Sequence, residues 1–195
     1  VGLTWALGTR YAGGNAAPGP LTDEGIALLN TMSDFGMLLD ISHLWIDAAY
    51  QALDRFPGMV VATHANPRRF VDAPRQIPDD VIRLIAERDG VVGIVAYAPM
   101  LKAGWRISDP VLPLSRLVDA IGYVCQLTGG VYNVAIGSDL DGGFGRESVP
   151  AGLDSVADLS RIGAQLKIRG YGEADIEAIL YRNWVRVMRG ILEGY

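Results

Sequence analysis

Two histidines, His43 and His64, are the only imidazoles in the 195-residue chain, and each ends a short aliphatic run. Met37–His43 reads MLLDISH and Val60–Asn66 reads VVATHAN. Between them Ile46, Ala49, Tyr50 and Leu53 recur at helical spacing, so the stretch predicts strand, helix, strand. Such a unit lays two parallel strands side by side. It brings both imidazoles to the carboxyl ends of those strands, the edge where α/β folds and (β/α) barrels build their sites. Two neutral imidazoles placed there can hold a borderline cation such as zinc. Either histidine alone reads more readily as a hydrogen-bonded structural residue; the shared position on consecutive strands is what brings a ligand role level with that reading.

Two further residue types fit the same chemistry. Asp139 lies in SDLDGG (Ser138–Gly143), directly after the strand-like YNVAIG (Tyr132–Gly137). A carboxylate beside a bound metal can take a proton from metal-bound water, whose pKa falls to about 7, and this permits hydrolysis at neutral pH. Asp and Gly also form turns, so the segment reads as a plain turn as well. Arg75, in the charged loop Asn66–Gln76, carries a fork of donors suited to a carboxylate, or is a solvated loop arginine.

Counting back by twos groups His43 with Ile41 and Leu39, His64 with Ala62 and Val60, and Asp139 with Gly137 and Ala135. In a barrel that shared face is expected to point inward. Asp40, Ser42, Thr63 and Ser138 are then expected to face the helices as hydrogen-bonding supports. A serine nucleophile activated by histidine is poorly supported, because Ser42 adjoins His43 along one strand and so faces the other way.

The elements that must carry these residues alternate β and α. VGLTW opens the chain as a strand, Gly8–Pro20 reads as an irregular loop, and Thr22 caps a helix that ends at Gly36. The MLLDISH strand, its helix and the VVATHAN strand follow. Pro78 at a first helical position opens a helix ending at Gly90, and the almost wholly apolar VVGIVAY (Val91–Tyr97) reads as a strand covered on both faces. A helix over Leu114–Leu127, the YNVAIG strand and two closing helices, Val156–Ile168 and Ala174–Leu192, complete the chain.

Five strands each followed by a helix predict a parallel α/β fold. No glycine fingerprint follows the first strand, and polar candidates follow several strands, so a (β/α) TIM-type barrel is favoured over an open doubly wound sheet. A complete barrel needs roughly 250 residues. Residues 1–195 are therefore expected to be a single domain, the carboxyl-terminal five βα units of an eight-unit barrel. The opening on Val1 in mid-strand supports the expectation of a piece of a longer protein.

Composition is that of an ordinary globular chain, 50% hydrophobic and 20% charged with net charge -5. That charge argues against a nucleic-acid or anionic-membrane surface. The longest apolar run, Val91–Leu101, is too short to span a bilayer. The single cysteine, Cys125, falls in a helical pattern as a buried thiol rather than a nucleophile.

LTW near the start, DISH, THAN, PRQIPDD, IGSDLDG and a final RNWVRV occur in an order and spacing that resemble the membrane (renal) dipeptidase family of the amidohydrolase superfamily, metallopeptidase family M19. The resemblance implies a (β/α) barrel with two zinc ions that hydrolyses dipeptides. It implies His43 and His64 as ligands of one zinc, Arg75 as the partner of the substrate carboxylate, and Asp139 as the acid working with the bridging hydroxide. Trp5 stands where the animal enzymes have a substrate-contacting histidine, so substrate preference is expected to differ; Tyr97 is expected to line the pocket. The family's His-x-Asp pair and bridging glutamate have no counterpart in this segment, which is therefore expected to bind metal weakly and to be inactive alone. A cytoplasmic location and a homodimer accompany these expectations. The competing readings are a non-catalytic barrel that binds a small molecule, and an amidohydrolase acting on a non-peptide amide or lactone.

Overall fold

The computed structural model describes residues 1–193. After a single parallel bridge from Gly2 to Asp40, the chain enters an antiparallel hairpin, β1 (Ala12–Gly14) and β2 (Ala17–Leu21). This hairpin replaces the irregular loop expected over Gly8–Pro20. Pro18 and Pro20 are tolerated because β2 pairs on one side only and does not need every N–H. Conversely, the expected VGLTW strand contributes that one bridge and little more.

The helix α1 (Asp23–Asp34) is capped by Thr22, whose Oγ1 accepts from the Gly25 N–H at 3.0 Å, with Asp23 and Glu24 complementing the helix dipole. Then come β3 (Leu39–Asp40), α2 (Ile46–Arg55), β4 (Val60–Val61), α3 (Asp79–Ala86) and β5 (Val92–Ile94). Pro78 is the N-cap of α3 rather than its first residue, and the helix stops at Ala86, before the left-handed Asp89. A short α4 (Ala98–Leu101), α5 (Ser115–Thr128) and β6 (Val134–Ile136) follow, with Gly129 in the left-handed region closing α5. Each closing helix is in sections. A 3₁₀ turn (Val156–Leu159) leads into α6 (Ser160–Ile168), while α7 (Glu173–Glu177), a π-helical turn (Ala178–Arg182) and α8 (Asn183–Leu192) run on from one another.

Strand order decides the architecture. The Gly2 segment pairs with β3, β3 with β4, Ala62 with Val92 of β5, and β5 with β6, all parallel. Every strand lies beside the one before it. Right-handed crossovers in a single direction put the crossover helices on one side, so the strands form a singly wound arc. Leu39, Ile41, Val60, Ala62, Val92, Ile94 and Val134 form one buried cluster with Ala52, Ile82, Ile85, Leu117 and Ile121 of the helices.

The alternate residues Val61, Val91 and Ala135 pack instead on Val187 of α8. That helix closes the arc at the strands' amino ends. Asn183 Nδ2 donates to the carbonyls of Val131 and Val134 at 2.7 and 2.8 Å, and Arg186 donates to the carbonyls of Asp89 and Tyr132 at 2.7 and 2.9 Å.

This packing overturns the expectation from counting by twos. The face carrying Leu39, Ile41, Val60 and Ala62 meets the helices. Asp40 and Thr63 lie on the opposite face, towards the interior of the arc.

Beyond its two paired rungs the β3–β4 ladder stops, and the Asp40 carboxylate takes over. It accepts from the Ser42 N–H at 2.9 Å, the Thr63 N–H at 3.0 Å and the Thr63 hydroxyl at 2.6 Å. Burial pushes its pKa up, but the bonds from Thr63 and Ser42 outweigh burial and hold the group below its ordinary value. On the neighbouring strands Gly93 and Gly137 make room for the Thr63 carbonyl, which a Cβ at either position would overlap.

Two outcomes are expected in chemical unfolding. Gly137→Ala should lose about 2 kcal/mol through overpacking against main chain. Asp40→Asn should lose roughly 1–3 kcal/mol, because an amide cannot accept all three bonds. Since the folded pKa of Asp40 is depressed, its contribution is present above its unfolded value of about 3.9 and is lost as pH falls through the folded value. Midpoints measured from pH 7 to pH 2 should therefore fall more steeply in the wild type than in Asp40→Asn.

Candidate active site

His43 and His64 both lie past the last paired residue of their strands. His43 has φ 69°, a left-handed conformation uncommon for a residue with a side chain, and this turn aims its ring at the interior although its strand register points outward. His64 follows Thr63 in a bend, with its N–H donating to Ser42 Oγ at 3.2 Å. The two rings face each other. Their Nε2 atoms are 3.0 Å apart and their centroids 4.9 Å.

The outer nitrogens show which tautomers face inward. Thr63 Oγ1 has one proton, given to Asp40 Oδ2, so at 2.7 Å from His64 Nδ1 it must accept, and His64 is an Nδ1–H tautomer. His43 Nδ1 lies 3.0 Å from Asn15 Oδ1, an acceptor, which makes His43 an Nδ1–H tautomer too. Both Nε2 atoms then turn lone pairs towards each other, and that of His43 also accepts from Arg75 Nη2 at 3.4 Å. Burial first, then Arg75 and the facing imidazole, push the His43 pKa down to about 4; burial and Arg75 lower His64, against the pull of Asp139 and Asp40. At neutral pH both rings are uncharged, so neither imidazole places a proton between the two Nε2 atoms.

That arrangement suits a shared cation. Zinc held at about 2.0–2.1 Å by two imidazoles in a tetrahedron sets their nitrogens about 3.3 Å apart, close to the spacing here. A hydrogen-bonded Nδ1 on each ligand is also what orients metal-binding histidines. Among the described residues no group of three or more His, Cys, Asp or Glu gathers around one point. The chain thus fits one edge of a metal's coordination shell and not the whole of it.

A cavity of about 320 Å³ opens on the pair, lined by Gly2, Thr4, Trp5, Asp40, Ser42, His43, His64, Asp139 and Gly142. Asp139 and Asp141 adopt left-handed conformations, φ 55° and 69°, in the turn after β6. Arg75 reaches the same place from its loop, with Nη2 donating to the His64 carbonyl and 3.4 Å from His43 Nε2. Burial lowers its pKa to about 10 although Asp139 and Asp40 pull it up. It remains a cation at neutral pH. Trp5, 66% exposed, stands at the mouth with its ring 5.9 Å from that of His43.

The structure thus brings together His43, His64, Arg75, Asp139 and Trp5. Tyr97 is not part of this lining; its ring stacks on Phe144 at 4.3 Å. Asp40 and Ser42, expected to face the helices, line the cavity instead. Cys125 is half-buried, and burial raises its thiol pKa.

Asn15 is the participant that sequence reasoning missed. The signal was Asn15 itself, a turn former at the start of the two-residue loop Asn15-Ala16, masked by the prolines after it.

The sequence matches the family described as membrane dipeptidase (peptidase family M19) over residues 1–193. The Klebsiella pneumoniae protein called "uncharacterized protein in pqqA 5'region" is 32% identical over 98% of this chain and 71% of its own length. An uncharacterized dipeptidase of Schizosaccharomyces pombe is 27% identical over 94% of this chain and 47% of its own. Among solved structures, a metallopeptidase from Rhodobacter sphaeroides liganded with a phosphinate mimic of the dipeptide L-Ala-D-Ala superposes with TM-score 0.88 at 22% identity, covering 97% of this chain and 55% of that one. An amidohydrolase from Pseudomonas aeruginosa gives TM-score 0.86 at 23% identity, covering 98% and 64%. The α/β fold is therefore shared with these structures, and this chain spans about half to two thirds of their length. The chain belongs to the membrane dipeptidase family, peptidase family M19.

Proposed function

We propose that this chain is the carboxyl-terminal five βα units of an eight-unit barrel whose complete form is a zinc-dependent dipeptidase. The observation that carries the reading is the pair of neutral imidazoles with unprotonated Nε2 atoms 3.0 Å apart in a cavity that Asp139 also lines. His43 and His64 hold one zinc ion, and residues outside this chain complete its shell and hold a second. When bound, the metal supplies Lewis-acid activation of water at neutral pH. Membership of the dipeptidase family and the likeness to a structure liganded with a dipeptide mimic support the substrate class.

The chain's own residues divide the remaining work. Arg75, charged and anchored on the His64 carbonyl, binds the carboxylate of the dipeptide with its planar fork. Asp139 accepts a proton from the attacking water and returns it to the leaving amine, the exchange expected of a positioned carboxylate. Trp5 covers the mouth, and Tyr97, held on Phe144, lines the outer part of the substrate path. A cytoplasmic homodimer belongs to the same proposal. Among the described residues no helix is long and apolar enough to cross a membrane.

Dipeptide hydrolysis by the full-length protein should be abolished by a chelator and restored by zinc. Turnover of N-acyl amides or lactones in preference to dipeptides sinks the dipeptidase reading. The 195-residue segment with added zinc should show no appreciable rate. His43→Ala and His64→Ala should each lower bound zinc by about one ion per chain, read by metal analysis. Asp139→Asn should lower kcat by roughly 10²–10⁴-fold. Arg75→Lys should raise KM about tenfold or more with a smaller change in kcat, and an equal loss in kcat alone would remove Arg75 from substrate binding.

A further inference from the structure

We propose that Asn15, at the tip of the β1–β2 hairpin, is a positioning residue that fixes the tautomer and orientation of His43. The consequence for metal binding rests on the reading of His43 as a ligand; the tautomer itself does not.

Asn15 grips His43 twice. Its N–H donates to the His43 carbonyl at 2.9 Å, and its side-chain oxygen accepts from His43 Nδ1 at 3.0 Å. The first bond holds the left-handed main chain that turns His43 inward, and the second sets the ring on that main chain. The hairpin carrying Asn15 is itself pinned. Trp45 N–H donates to the Gly13 carbonyl at 2.9 Å, Ala16 N–H donates to the Ala6 carbonyl at 2.8 Å, and Gly14 bridges Leu44. Gly14 also lies so close to the Trp5 and Ala6 carbonyls that a Cβ would overlap both.

The two imidazoles are therefore held by unlike supports. His64 Nδ1 is backed by a hydroxyl that leans on the Asp40 carboxylate, inside the arc. His43 Nδ1 is backed by a neutral amide on a separate hairpin. Without that amide oxygen the proton is free to move to Nε2. An imidazole protonated at Nε2 offers no lone pair towards His64 or towards a cation between them. Asn15 thus decides which nitrogen of His43 faces the cavity, and the loss of such an outer partner typically weakens metal affinity 10–100-fold.

The 195 residues contain only two histidines, and in the ¹⁵N-histidine-labelled metal-free full-length protein their two patterns are assigned by their loss in His43→Ala and His64→Ala. Two-bond ¹H–¹⁵N correlations should show both as Nδ1–H tautomers in the wild type. In Asn15→Ala, His43 should shift to Nε2–H or to a mixture while His64 keeps its pattern, which doubles as the folding control. Asn15→Asp, which retains an acceptor oxygen, should restore Nδ1–H at His43. Zinc affinity, measured by chelator competition, should fall 10–100-fold in Asn15→Ala and return to within a few-fold of wild type in Asn15→Asp. An Nε2–H tautomer of His43 in the wild type, or a His43 pattern indifferent to Asn15→Ala, overturns the proposal even if zinc binds. Zinc binding unaffected by His43→Ala, with the tautomer still dependent on Asn15, overturns the ligand reading and leaves the positioning role standing.

Discussion

One half-buried carboxylate organises the site. Asp40 sits where the β3–β4 ladder ends and joins the two departing chains through the Ser42 and Thr63 N–H groups and the Thr63 hydroxyl. A charge taken out of water is tolerated only when its oxygens are satisfied, and three donors satisfy this one. Its ionised state then fixes the direction of the Thr63 proton, which fixes the tautomer of His64. A stabilising contact between strands and the chemistry of an imidazole are in this way consequences of one group.

A second constraint is conformational. His43, Asp139 and Asp141 all occupy the left-handed region, which costs a residue with a side chain of order 1–3 kcal/mol. Each lies just beyond a strand end, where the ladder no longer dictates direction. The cost is met by local bonds: the Asn15 N–H on the His43 carbonyl, and the Gly142 N–H on the Asp139 carbonyl at 2.9 Å. Strained backbone is what lets side chains leave the register of their strands and converge on one cavity.

The two ends of the arc divide stability from chemistry, as parallel α/β architectures do. At the amino ends of the strands, α8 places Asn183 and Arg186 on strand and loop carbonyls. At the carboxyl ends, the loops carry charge, strain and exposed aromatic surface. Arg75 shows how a loop residue becomes part of the site. The Pro67–Ile77 bridge and the bond from Gln76 Nε2 to the Met100 carbonyl of α4 at 2.7 Å hold its loop in place, so the guanidinium is delivered inward.

Much of this is written locally in the chain. Apolar runs of strand length alternating with helical periodicity determined the parallel α/β class, and motif order from LTW to RNWVRV determined the family. The chemical character of His43, His64, Asp139 and Arg75 followed from residue type and position after a strand. What only the tertiary structure decided was direction. Alternation by twos describes side chains within a ladder, and the ladders here end at Asp40 and Val61, before either histidine. Which face met the helices depended on α8 packing against Val61, Val91 and Ala135, a contact between segments far apart in the chain. The partner of His43 lay 28 residues away on a hairpin tip. A lone-pair orientation set by such distant donors and acceptors has no periodicity to betray it, because it is a property of the assembled hydrogen-bond network rather than of any one segment.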